Sequence, residues 1–178
     1  MDRATYLAFE RGSDEKHELW DGEVYAMTGA SLAHNRIVRN LIHRLGAALE
    51  GSPCEALPSD MRVRIPSRER YVYPDVTIVC GPPELEDGAD VLLNPRTIIE
   101  VLSASTAAFD RGQKFAGYRS IPSLHEVVFV SQDDRQIECY TRQADHSWLL
   151  REYHGDDALP LQALAQLLPV SQIYEGVS

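Results

Sequence analysis

Positive charge is scarce in this chain of 178 residues: 17 Lys and Arg stand against 27 Asp and Glu, a formal net charge of −10. That balance excludes a protein that coats nucleic acid by charge alone. Cysteine is rarer still. Cys54, Cys80 and Cys139 lie far apart, form no Cys-x-x-Cys pair and are odd in number, so the expectation is three buried thiols in a cytoplasmic protein rather than a zinc site or disulfides. No window approaches the roughly 18 uninterrupted apolar residues of a membrane span. The opening MDRATYLAFERGSDEKHELW carries acids where a secretory signal needs an apolar core. Repeats, low-complexity tracts and linkers are also missing, so one domain over residues 1–178 is expected.

What charge there is falls unevenly. Ser31 to Cys80 holds seven Arg and five acids, a net of +2, whereas Ile121 to the end holds three Arg and nine acids, a net of −6. Any nucleic-acid contact is therefore expected in the first two-thirds. The candidates are Arg36, Arg39 and Arg44 on a helix, with Arg62 and Arg64 on one face of a strand. For the helix, a solvated face that merely happens to be basic is the competing reading.

Local patterns divide the chain into elements. Thr5 to Phe9 reads as a short helix closed at Gly12. Asp21-Gly22 between alternating runs signals a hairpin, with Glu18 on its first strand as a solvated or site-directed acid. Ser31 is placed to cap a helix from about Ala33 to Leu49, whose first turn carries His34. Cys54 to Leu57, Met61 to Ile65, Tyr71 to Cys80 and Thr97 to Leu102 read as strands, and Gly81 to Asp90 as an acidic loop. A helix from about Ala107 to Ser120 follows, then three strands and a short helical or packed tail. The order predicts an α+β (mixed α/β) domain, one central sheet flanked by helices.

Two of these strands each carry a carboxylate. Asp75 opens VTIVC, and Glu100 lies between Ile98-Ile99 and Val101-Leu102, where alternation cannot put it and its neighbours all in water. An unpaired buried charge is expensive, so Glu100 must be paired, protonated or metal-bound. Asp110, Lys114 and Tyr118 recur every four residues, which puts them on one helix face. The plain reading is a structural ion pair of Lys114 with Glu100 or Asp110. The functional reading is a carboxylate pair for Mg²⁺ or Mn²⁺ with an ammonium beside it, the outline of phosphodiester hydrolysis.

HELWDGEV, SLAHNRIVRNLIHRL, YPDVTIV, IIEVLSAST and DRGQKFAGY together resemble the Uma-type family of restriction endonucleases, a bacterial branch of the PD-(D/E)XK nuclease superfamily. The resemblance covers nearly the whole chain. It implies a restriction-endonuclease-like fold and metal-dependent DNA cleavage, with Asp75 and Glu100 as the acidic ligands and the Val101 carbonyl as a third. Where the wider superfamily has Lys, this chain has Leu102, and Lys114 is the only nearby replacement. Glu18 matches an N-terminal acid that some members direct into the site. Two classes of function follow: a Mg²⁺-dependent nuclease, acting on DNA as a homodimer because the basic surface of one chain is thin, or a non-catalytic DNA- or protein-binding module.

Overall fold

The computed structural model describes residues 1–86 and 88–178; Asp87, within the acidic loop, lies outside them. In order the elements are α1 (Arg3–Arg11), β1 (His17–Trp20), β2 (Glu23–Ala26), α2 (Leu32–Leu49), β3 (Cys54–Pro58), β4 (Arg62–Ile65), β5 (Arg70–Val72), β6 (Val76–Cys80), β7 (Val91–Leu92) and β8 (Thr97–Leu102). Then come α3 (Ala107–Phe109), a π-helical turn (Asp110–Lys114), α4 (Phe115–Tyr118), β9 (Glu126–Ser131), β10 (Gln136–Arg142), β11 (Trp148–His154), β12 (Ala158–Leu159), β13 (Leu168–Pro169) and α5 (Val170–Ile173).

The strands form two main sheets where the sequence suggested one. The first runs β2-β1-β5-β4-β7 and the second β11-β10-β9-β8-β6-β3, with a separate β12-β13 pair. Tyr71 to Cys80 is accordingly not one strand. The chain leaves the first sheet after Val72 and enters the second at Val76, turning through Tyr73-Pro74-Asp75. Pro74 offers no N–H to a ladder, which suits it to the corner between sheets.

Alternation along β8 explains the layering. Ile99 and Val101 face α2 and its apolar stripe Ile37, Leu41 and Leu45. Ile98 and Leu102 face the opposite way, onto Tyr118, Ile121 and the inner side of the first sheet through Val63, Ile65 and Val72. Helix α1 closes the far side of that sheet with Tyr6 and Leu7 against Leu19 and Tyr71. The carboxylate of Glu100 thus enters the layer between the two sheets.

Local expectations fare well. Ser31 caps α2, its side chain accepting from the His34 N–H at 3.0 Å. The hairpin turn takes positive φ at Asp21 and Gly22, 51° and 87°, as a tight two-residue turn requires. The expected set of three thiols is corrected. Cys54 and Cys80 are register partners on β3 and β6, with Cα atoms 3.9 Å apart, and are joined by a disulfide. Cys139 alone remains a buried thiol, and burial pushes its pKa up to about 12.

Candidate active site

Five segments far apart in sequence meet at the corner between the sheets. Strand β6 runs antiparallel to β8 with Val76 opposite Ile99, so Asp75 comes opposite Glu100 on the same face. Asp75 Oδ2 accepts the Val101 N–H at 2.7 Å, and the His34 ring Nε2 lies 3.2 Å from the same carboxylate. Helix α2 therefore reaches the site through its first turn. His34 Nδ1 is buried without a hydrogen-bond partner among the described residues.

Lys114 is 6% exposed and surrounded by acid: Glu100 Oε1 lies 3.0 Å from its Nζ, Glu18 Oε1 3.1 Å and Asp110 Oδ1 3.9 Å. Glu18 comes from β1 in the first sheet and also accepts the Tyr73 N–H at 2.9 Å. Tyr118 donates its hydroxyl to the same Glu100 oxygen that Lys114 engages. Lys114 and Tyr118, expected on one helix face, thus converge on one carboxylate. Asp110 and Lys114 lie in the π-helical turn rather than in a regular α-helix, and such single wide turns recur at functional sites.

The electrostatics follow from burial and from the count of acids. Burial, reinforced by the negative charges of Asp75, Asp110 and Glu18, pushes the Glu100 carboxyl up to about 8, with Lys114 opposing. Burial likewise raises Asp110, again against Lys114. Burial pulls the Lys114 ammonium down, but Glu100, Glu18 and Asp110 more than offset it and hold its pKa above the ordinary range. Three carboxylates face this single ammonium, so Lys114 stays charged.

Can these residues hold a metal ion? Asp75, Glu100 and the Val101 carbonyl are hard oxygen donors, and the acids Glu18, Asp75, Glu100 and Asp110 outnumber the one lysine, an excess of carboxylates that a divalent cation would offset. Among the described residues, no three His, Cys, Asp or Glu side chains are arranged to hold a metal ion between them. The donor set accordingly suits an ion that keeps most of its waters, as Mg²⁺ does, and not a cage built wholly of protein.

The basic surface expected from the sequence is only partly formed. Arg62 is corrected: its side chain is 5% exposed, ion-paired to Asp90 and stacked over Tyr73. Arg44 is 2.6 Å from Glu175, and Arg64 is 3.5 Å from Glu86. Arg39 turns onto Asn40 Oδ1 at 2.9 Å, while Arg36 makes no ion pair among the described residues. Leu102, at the superfamily's lysine position, packs into the apolar layer at 3% exposure.

Mixed sheets flanked by helices, with Asp75 at the corner between them and Glu100 on β8 beside a buried helical lysine, place the molecule among restriction-endonuclease-like folds. The chain belongs to the Uma2 family, described as "Putative restriction endonuclease", which matches residues 3–171. Two uncharacterized proteins of Synechocystis sp. are similar to it. One, slr1290, is 35% identical over 97% of this chain and 90% of its own length; the other, sll1609, is 40% identical over 87% and 88%. Among solved structures, a putative nuclease of the DUF820 group from Anabaena variabilis superposes with a TM-score of 0.75, covering 93% of each chain at 12% identity. Among the described residues, no helix is long and apolar enough to cross a membrane.

Proposed function

We propose that the protein is a metal-dependent endodeoxyribonuclease working at Asp75, Glu100, Lys114 and Glu18. The observation that carries this reading is a single buried ammonium held between Glu18 and Glu100, with Asp75 opposite Glu100 at the corner between two sheets. Asp75, Glu100 and the Val101 carbonyl would hold Mg²⁺ or Mn²⁺, which when bound activates water and polarises the phosphoryl group. Lys114 supplies a fixed positive charge where negative charge builds on the phosphate. Glu18 shares that ammonium and orients it, while His34 and the Val101 N–H fix the rotamer of Asp75.

Nicking of supercoiled plasmid in Mg²⁺ or Mn²⁺, against Ca²⁺ and chelator controls, tests the reading. Asp75→Asn and Glu100→Gln should each lower the rate at least about 100-fold, since each removes a charged ligand worth several kcal/mol. Absence of nicking by wild type in either ion, or unaffected variants, would overturn it. The homodimer expected from the thin basic surface is tested by sedimentation; a monomer restricts each encounter to one strand.

The non-catalytic reading draws on one observation, the buried Leu102 at the position where the wider superfamily has Lys. It expects DNA binding that is insensitive to Asp75→Asn and never followed by nicking.

A further inference from the structure

Few large apolar side chains face water in this molecule, yet three fall within eight consecutive positions: Tyr25 at 51% exposure, Met27 at 38% and Leu32 at 65%. Every residue from Tyr25 to Leu32 is exposed. This stretch joins the hairpin that carries Glu18 to the helix that carries His34, so both of its ends are anchored at the candidate site.

Register fixes which way the aromatic ring points. Tyr25 is the cross-strand partner of Glu18, and directly opposed residues of an antiparallel pair share a face. The Met27 N–H donates to the Lys16 carbonyl at 2.8 Å, which extends the ladder, and Met27, two residues beyond Tyr25, lies on that same face. Leu32 opens α2, and one and two turns further along its stripe stand Arg36 and Arg39. Tyr25 and Met27 thus stand on the Glu18 face of the hairpin, and five residues beyond Met27 Leu32 heads the helix face of the two arginines that no acid engages among the described residues.

Two arginines are few for a duplex, whose phosphates are contacted on both strands. Arg44, Arg62 and Arg64, which would widen the surface, are engaged by Glu175, Asp90 and Glu86. A single strand needs fewer cations when its bases stack on aromatic and apolar side chains. We infer that Tyr25, Met27 and Leu32 form a nucleobase-stacking surface, and that the DNA strand presented to the site is unpaired, as in single-stranded DNA or a frayed or branched duplex end. Only the destination of the phosphate rests on the nuclease reading; the surface itself does not.

Binding by fluorescence anisotropy in Ca²⁺ at low salt provides the test. Three labelled probes of about twenty nucleotides are compared: a single strand, its duplex and a fully abasic strand. Wild type should bind the single strand at least about tenfold more tightly than either of the others. Tyr25→Ala/Leu32→Ala should remove about tenfold of single-strand affinity and leave the abasic probe unchanged. Both side chains lie in water, so thermal unfolding of this variant should match wild type. Equal binding of single and abasic strands, tighter binding of the duplex, or a double variant indistinguishable from wild type overturns the inference. Plasmid nicking in Mg²⁺ is run alongside. The expected binding pattern without nicking supports the surface and counts against the nuclease, whereas nicking with equal affinity for all three probes overturns the surface and leaves the nuclease standing.

Discussion

Glu18 and Lys114, 96 residues apart in the chain, meet at 3.1 Å in the layer between the two sheets. Read from the sequence alone, Lys114 sits on a helix face from which it could be removed with little harm to folding. Its burial among three carboxylates changes that expectation. Lys114→Met leaves Glu18, Glu100 and Asp110 facing one another without a counter-charge, and breaking such a buried pair from one side costs about 3–5 kcal/mol. Urea unfolding should show that loss, and Lys114→Met/Glu18→Gln should recover part of it. A single variant as stable as wild type would mean that the carboxylates are already protonated. Activity comparisons must then be made at temperatures where the variant is folded.

His34 reaches Asp75 from the first turn of α2 at 3.2 Å. His34→Ala leaves the carboxylate held by the Val101 N–H alone, free to turn about its outer torsion. Mn²⁺ affinity, measured by calorimetric titration, should fall about 10- to 100-fold, with unfolding little changed. His34→Gln, which can still donate a hydrogen bond, should restore part of it. Equal Mn²⁺ affinity in all three proteins would show that Asp75 needs no such support.

Glu126, away from the site, gives a pH dependence. Its carboxylate is 1% exposed, and burial raises its pKa above the ordinary 4.5 despite hydrogen bonds from the Gln162 N–H and the Thr97 hydroxyl. Below pH 4.5 the side chain is protonated in folded and unfolded chains alike, so it makes no difference to stability there. As pH rises past that value the unfolded chain releases its proton first, and the folded state loses ground until its own, higher pKa is passed. Glu126→Gln should therefore gain melting temperature relative to wild type as pH is raised from 4.5. A difference that stays flat with pH would show that Glu126 titrates alike in the folded and unfolded chains.

The Cys54–Cys80 bond closes a sequence separation of 26 residues. Cross-linking a loop of that length stabilises by about 3 kcal/mol through the unfolded chain. Melting with and without reductant should show a loss of that order, and Cys54→Ser/Cys80→Ser should be insensitive to reductant. A wild type equally insensitive would leave the two residues as neighbouring thiols.

How much of this was legible beforehand depends on the range of the signal. Glu100 stood out because a charge amid four apolar strand neighbours demands a partner, and Lys114, on one helix face with Asp110 and Tyr118, was the candidate. The wide turn through Asp110–Lys114 was not visible, because the same spacing describes a regular helix equally well. Tyr71 to Cys80 looked like one strand because an apolar run does not say which sheet each half joins. Arg62 alternated with Val63 and Ile65 like a solvated residue; its partner Asp90 lies 28 positions on, beyond any local pattern. Cys54 and Cys80 were judged by spacing, whereas what pairs them is the register of β3 against β6. Tyr25 and Leu32 drew no notice, since nothing in a sequence distinguishes an apolar side chain that stays in water.

The turn through Tyr73-Pro74-Asp75 has a consequence for the newborn chain. Glu18 stands on the first sheet, Glu100 on the second, and the ammonium that gathers them is supplied later still, from the helical segment after both. No partial product of synthesis can assemble this charge cluster, because Glu18 must wait for residue 114 to leave the ribosome and for two separate sheets to close on each other. Any cleavage activity thus switches on only with the finished tertiary structure, and a chain that stalls or unravels has no such cluster to act with.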